Sequence, residues 1–204
     1  MPTPELIDVP EQWPVASSRQ EYDGGGWVVK LRADLIRRPA HPEEEPFKRL
    51  VVEHPGAAIV LVLDDEDRVL CLWQYRHAVA KRLVQLPAGL CDVEGEEPLG
   101  VAQRELAEEA GYAATEWTHL ASLHSSPGIT AETAHYFLAS GLNATGRGDF
   151  EPVHEEAEME LGWVPLAELQ AAVTAGRLAD AHLAVAVLLA GSRLAPSQSR
   201  GTDH

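Results

Sequence analysis

Apolar residues run without interruption from 57 to 63 (AAIVLVL), a length that suits a strand and a composition that suits burial on both faces. The polar stretch DDEDR then turns the chain. VLCLWQYR at 69–76 follows as a partner strand, and LVQLPAG carries the pattern to residue 89. Upstream, WVVKLRADLIRR (27–38) and FKRLVVEH (47–54) mix apolar and polar positions at near-strand spacing on either side of the loop PAHPEEEP. These two runs predict a hairpin or small sheet ahead of the main core. Downstream, WTHLASLHS (117–125) and TAHYFLAS (133–140) read as strands around the loop SPGITAE, and MELGWVP (159–165) as a short strand after the acidic HEEAE.

Three stretches have helical spacing instead. LAELQAAVTAG (166–176) has a glycine stop, and AHLAVAVLLAGSRL (181–194) is apolar almost all round, so it packs deeply. Between the strand groups lies the third, residues 98–110, with Pro98 suited to the first turn and Gly111 to a left-handed cap. Leu99, Ala102, Leu106 and Ala110 make its apolar stripe, and Glu105, Glu108 and Glu109 fall within roughly a 100° arc beside it. Carboxylates on successive turns can hold hard divalent cations that also contact phosphate. Strands interleaved with one central and two late helices predict an α/β sandwich, and no repeat period emerges.

Composition changes this picture little. The 204-residue chain suits one sizeable domain with an N-terminal extension. Residues 1–20 are Pro-rich and weakly patterned, an extended arm; 196–204 read as a disordered tail. No apolar run approaches the ~20 residues of a membrane span and the first residues lack a leader pattern, so the expected location is cytoplasmic, with no membrane partner. Cys71 and Cys91 stand alone, outside any CxxC pair, and are expected to be free thiols, Cys71 within a core strand. The formal charge of −16 and the lack of a basic stripe argue against nucleic acid as a partner. A small anionic substrate then needs bound cations and local arginines to reverse the field in its site.

The residues Gly89, Glu96, Arg104-Glu105-Leu106, Glu108-Glu109 and Gly111-Tyr112 resemble the Nudix box. Between Gly89 and Glu96 stand six residues where the family pattern has five; the seven from Glu97 to Gln103 are in register. The likeness extends from about residue 22 to 190 through VVEHPGAAIVLVL, QYRHAVAKRLVQLPAG and SSPGITAE, and is greatest to the ADP-ribose pyrophosphatase branch. Pro127, 16 residues after Gly111, matches a proline that branch associates with substrate choice. Gln85 is a departure, since the related enzymes usually carry Glu there.

The resemblance implies a Nudix-type α/β/α sandwich with a mixed sheet over residues 56–195, preceded by an N-terminal arm and β-region (1–55) that mediates homodimerisation. It implies Glu105, Glu108 and Glu109 as metal ligands with the carbonyl of Ala88, Glu96 binding directly or through water, and Arg104 orienting the carboxylates. It also implies a catalytic base on the loop 154–159, with Glu156 the first choice and Glu155 and Glu158 the alternatives. Arg76 and Arg82 would contact substrate. Trp27, Trp73 and Tyr75 either stack on adenine or fill the core. The activity implied is Mg²⁺-dependent (or Mn²⁺-dependent) cleavage of ADP-ribose to AMP and ribose 5-phosphate. The alternatives are another nucleoside diphosphate derivative (a nucleotide sugar, a dinucleotide, NADH) and, from a different class, a non-catalytic ADP-ribose-binding sensor.

Overall fold

A computed structural model of the chain describes residues 6–26, 28–148 and 157–194. Two units are distinct, Met1–His54 with Ser126–Ala131, and Pro55–Ser125 with Glu132–His204.

In the first unit, β1 (Val15–Tyr22), β2 (Lys30–Ile36) and β3 (Phe47–Glu53) form an antiparallel sheet in that order. The predicted hairpin is β2–β3, in unbroken register from Lys30↔Glu53 to Ile36↔Phe47. The expected arm differs: its last residues belong to β1, which is exposed at every position. Alternating apolar residues reveal a half-buried strand, and VASSRQEY buries nothing, so it leaves no such signal. Backbone pairing to β2 and polar contacts such as Ser18 Oγ–H to Asp34 at 2.6 Å hold it. The segment 126–131 joins this unit through Val52 N–H to the Ile129 carbonyl at 2.8 Å and Ala131 N–H to the Val52 carbonyl at 3.1 Å.

The second unit is an α/β/α sandwich around β4 (Ala57–Val62). It lies between β7 (Ala88–Leu90), antiparallel, and β9 (Thr133–Ala144), parallel, with β8 (Tyr112–His124) outermost, giving a mixed sheet. Alternation along β4 divides the core. Ile59, Leu61 and Leu63 pack with Leu169 of α2 (Leu166–Thr174) and with Leu183, Ala186 and Val187 of α3 (Ala181–Leu194). Ala58, Val60 and Val62 pack on the other side with Val101, Ala102 and Leu106 of α1 (Pro98–Ala110). An unbroken apolar run is what burial on both faces requires.

One expected pairing is overturned. β5 (Arg68–Arg76) is not β4's sheet partner, since only the isolated bridge Leu63↔Val69 joins them. Both edges of β4 are taken by β7 and β9, so β5 pairs instead with β6 (Lys81–Gln85) and β10 (Glu160–Pro165), in the antiparallel order β10-β5-β6. Asp64 shapes the turn that redirects the chain, its Oδ1 accepting the N–H groups of Glu66 and Arg68. Cys71 is buried in β5, where lack of solvation pushes its thiol up to about 12; it and Cys91 are free. Among the described residues no helix is long and apolar enough to cross a membrane.

The stripe on α1 also differs from expectation. Val101, Ala102, Leu106 and Glu109 are its buried residues, whereas Leu99 is 37% exposed. Glu109 lies inside the buried face rather than beside it, because the helix rotates that carboxylate toward the loop preceding it. Leu106→Ala therefore costs about 2–5 kcal/mol in urea unfolding, and Leu99→Ala less than about 1 kcal/mol. Equal losses would return the helix to the face read from its sequence.

Candidate active site

α1 begins with Pro98 at a position where no hydrogen bond is lost and ends at Gly111. The backbone there has φ 72°, and the Gly111 N–H caps the Ala107 carbonyl at 2.9 Å. Between these stops the glutamates are held at fixed angles. The other wall is β7, whose register Ala58↔Gly89 and Ile59↔Ala88 locks the loop backbone to β4.

Two contacts join the walls. Glu109, 7% exposed, accepts the Ala88 N–H on Oε2 at 3.0 Å. Glu105 lies across Gly89: a Cβ there would collide with Oε1, Cδ and Cγ of Glu105, so only glycine leaves room for that side chain.

Arg104 gathers the rest. Its Nη1 donates to Glu105 Oε1 at 2.7 Å and to Glu108 Oε2 at 3.1 Å, and its Nη2 to Glu96 Oε2 at 3.4 Å. Burial works against the charge on this guanidinium, but the hydrogen bond to Glu96 and the negative charges of Glu105 and Glu96 outweigh it and raise the pKa. The extra residue between Gly89 and Glu96 is absorbed by the loop, since Glu96 still reaches Arg104. Four glutamates against one arginine form an oxygen-only donor set, the chemistry that suits a hard divalent cation. Three of these carboxylates, Glu96, Glu105 and Glu108, fan around Arg104, and Glu109 meets the loop backbone. The three donors among the described residues whose ligand atoms all lie within 4.8 Å of one another are instead His41, Glu43 and Glu44, exposed on a loop of the first unit.

The remaining expected residues fall elsewhere. Arg76, at the exposed end of β5, donates from Nε to Gln85 Oε1 at 2.6 Å, and Gln85 Nε2 donates to Asp180 Oδ2 at 2.6 Å. Arg82 donates from Nη1 to the carbonyls of Trp73 (3.1 Å) and Glu158 (3.0 Å), and pairs with Glu160 at 3.6 Å. Trp73 packs against the core, while Tyr75 is exposed beside His77. Pro127 is exposed in a turn of the first unit, closed by Ile129 N–H to the Ser126 carbonyl at 3.0 Å. Trp27, Glu155 and Glu156 lie outside the described residues.

Asp180 escaped the sequence reading. It is 8% exposed and its Oδ1 accepts the Leu183 N–H at 2.8 Å, capping α3. The signal was present, an Asp directly before a helical run.

An α/β/α sandwich whose loop–helix element sets glutamates around one arginine is the framework of a metal-assisted hydrolase. The chain belongs to the Nudix family: the family model described as NUDIX domain matches residues 52–184. It is 41% identical over 165 residues to an ADP-ribose pyrophosphatase of Mycobacterium tuberculosis, covering 81% of this chain and 77% of that one. With an ADP-ribose pyrophosphatase of Bacillus subtilis it shares 34% identity over 162 residues, 79% and 84% of the two chains. A crystal structure of an ADP compounds hydrolase matches the fold with a TM-score of 0.73 at 17% identity, covering 92% of this chain and 97% of that one. The chain is a Nudix hydrolase.

Gly89→Ala tests the approach of loop to helix. Its methyl must displace Glu105, so hydrolytic turnover falls by about 100-fold while the fold melts cooperatively, because a shift of ~1 Å at reacting groups has that cost. Unchanged turnover would mean that the position of Glu105 is immaterial.

Proposed function

We propose that this chain hydrolyses ADP-ribose to AMP and ribose 5-phosphate with Mg²⁺, or alternatively Mn²⁺, in a site built on α1 and the loop before it. The observation that carries this reading is the extensive identity to two chains named ADP-ribose pyrophosphatase, together with the carboxylates that Arg104 and the Ala88 N–H hold in place.

Glu105, Glu108 and Glu109 are the proposed ligands, with Glu96 and the Ala88 carbonyl completing the set. Gly89 supports the fit, because the missing Cβ lets Glu105 sit against the loop backbone that would share the ion. When bound, divalent cations neutralise phosphate charge and lower the pKa of a bound water. Arg104 keeps its three carboxylate partners at set angles, and charge-assisted hydrogen bonds of this kind are strong enough to hold them.

Glu156 is the proposed base, accepting the proton of the attacking water. Of its neighbours, Glu158 offers its backbone carbonyl to Arg82 and its carboxylate lies 3.9 Å from the same guanidinium, which favours a tethering role for it over proton transfer. Arg76 and Arg82 are proposed to contact the diphosphate, since a planar guanidinium suits phosphate oxygens. Pro127 is proposed to shape the substrate pocket. We further propose that residues 1–55 mediate a homodimer; β1, an exposed strand at the edge of its sheet, is the kind of element that supports such pairing.

Glu105→Gln preserves shape and removes charge, and is expected to lower Mg²⁺-dependent turnover by well over about 10-fold. Glu156→Gln lowers kcat by about 10²–10⁴-fold if it is the base. Product identification across ADP-ribose, nucleotide sugars, dinucleotides and NADH reads out the substrate. Greater turnover of any other compound would move the assignment, and ADP-ribose binding with no AMP released under any divalent metal would favour a sensor. Light scattering is expected to give a dimer of the 22.2 kDa chain, and a monomer at micromolar concentration would sink the dimer.

A further inference from the structure

We propose that Gln85 and Asp180 form a relay of positioning residues that presents the Arg76 guanidinium to the diphosphate of the substrate, an inference that rests on the activity proposed above. Two bonds run in one direction and a third meets them at Asp180. Arg76 Nε–H donates to Gln85 Oε1 at 2.6 Å, Gln85 Nε2 donates to Asp180 Oδ2 at 2.6 Å, and Asp180 Oδ1 receives the Leu183 N–H at 2.8 Å. The first turn of α3 thereby sets the orientation of a side chain at the exposed end of β5.

The amide has one allowed orientation. Turned over, it would oppose its own N–H to that of Arg76 and its oxygen to the Asp180 carboxylate, losing both bonds. Holding a guanidinium by Nε fixes its plane and leaves the two Nη groups as the outward edge, the edge that engages oxyanions in pairs. A helix cap alone would need only one oxygen of Asp180. The second oxygen, on a carboxylate 8% exposed, is spent on Gln85, whose only outward partner among the described residues is Arg76.

Carboxamide and carboxylate are therefore not interchangeable here. A glutamate at position 85 would still accept from Arg76 but would face the Asp180 carboxylate with no proton between them. Exchanging the pair restores the order: in the double variant Gln85→Glu/Asp180→Asn, the introduced amide at position 180 donates to the introduced carboxylate at position 85, while the amide oxygen still caps α3.

The test is steady-state kinetics on ADP-ribose, or on whichever nucleoside diphosphate derivative the wild type cleaves, with melting temperatures recorded for every variant. Gln85→Glu is expected to raise KM by about 5–10-fold with kcat changed less than about 2-fold, and the exchanged pair to return KM to within about 2-fold of wild type. In an Arg76→Ala background Gln85→Glu is expected to have no further effect on KM, because its action passes through Arg76. An unchanged KM in Gln85→Glu, no rescue in the exchanged pair, or additive effects with Arg76→Ala would each overturn the relay. Absence of turnover in the wild type would defeat the proposed activity by itself. The relay is then judged by ¹⁵N-detected exchange of the Arg76 Nε–H, expected to be protected in wild type, lost in Asp180→Asn and recovered in the exchanged pair. Equal exchange in all three would overturn it.

Discussion

The contact on which the site depends is the one between Glu109 and the Ala88 N–H. A carboxylate in the middle of a helix's buried face is costly to desolvate, and a hydrogen bond to a charged group recovers about 1.5–3 kcal/mol of that cost. It also fixes geometry. α1 can pack against β4 with Glu109 inside only if the loop backbone meets it, and that loop is already locked to β4 through Gly89 and Ala88. Once loop and helix are tied, Glu105 must lie over residue 89, which is why that residue has no side chain. Arg104 then faces outward into the remaining carboxylates. A polar residue at a core position conflicts with binary patterning, and such conflicts in natural proteins tend to mark function.

The fold positions this element by exclusion. β4 uses both faces and both edges, so every later element has to find a place around it. β5 leaves for a second sheet, where β6 delivers the chain to residues 85–89. Val60 N–H to the Pro87 carbonyl at 2.9 Å continues the attachment between β6 and β7. The route into the site is therefore pinned on one side by β4 and on the other by Gln85 and Asp180 of the second sheet and α3.

Residues 57–63, 98–110 and 181–194 were legible in the sequence because each is a long apolar pattern of one period, and the structure bears them out closely. Helix stops at Pro98 and Gly111 were legible because their chemistry is local. What escaped had no local signal. β1 buries no side chain, and the partner of β5 is chosen by which edges other strands have taken. The rotation of α1 is set by Glu109 reaching for a backbone group 21 residues earlier, and apolar periodicity alone places Leu99 inward. The acidic set was visible as an arc of carboxylates with Arg104 expected to orient it, and the contacts of Arg104 with Glu105 and Glu108 are indeed local to α1, whereas the fit of Glu105 over Gly89 is tertiary. Gln85 was noticed as a departure and as a hydrogen bonder near the site, but its pairing with Asp180, 95 residues away, leaves no local signal.

Charge gives the last constraint. The chain carries −16, and the site itself has Glu96, Glu105, Glu108 and Glu109 against Arg104 alone, a local excess of three negative charges by that count. Arg104 has no net attraction left to offer, being shared among three carboxylates, and Arg82 is engaged with Glu158 and Glu160. A diphosphate approaching such a surface is repelled, the more strongly where low-dielectric walls focus the field. The proposed substrate and the proposed cations are thus linked: divalent ions held by these carboxylates would offset the charge that repels a diphosphate. Arg76, bound through Nε to a neutral amide, is then the arginine of the β5–β6 hairpin whose Nη edge is uncommitted among the described residues. A glutamate in place of that amide would set a second carboxylate against Asp180 and add one more negative charge to a chain already strongly negative.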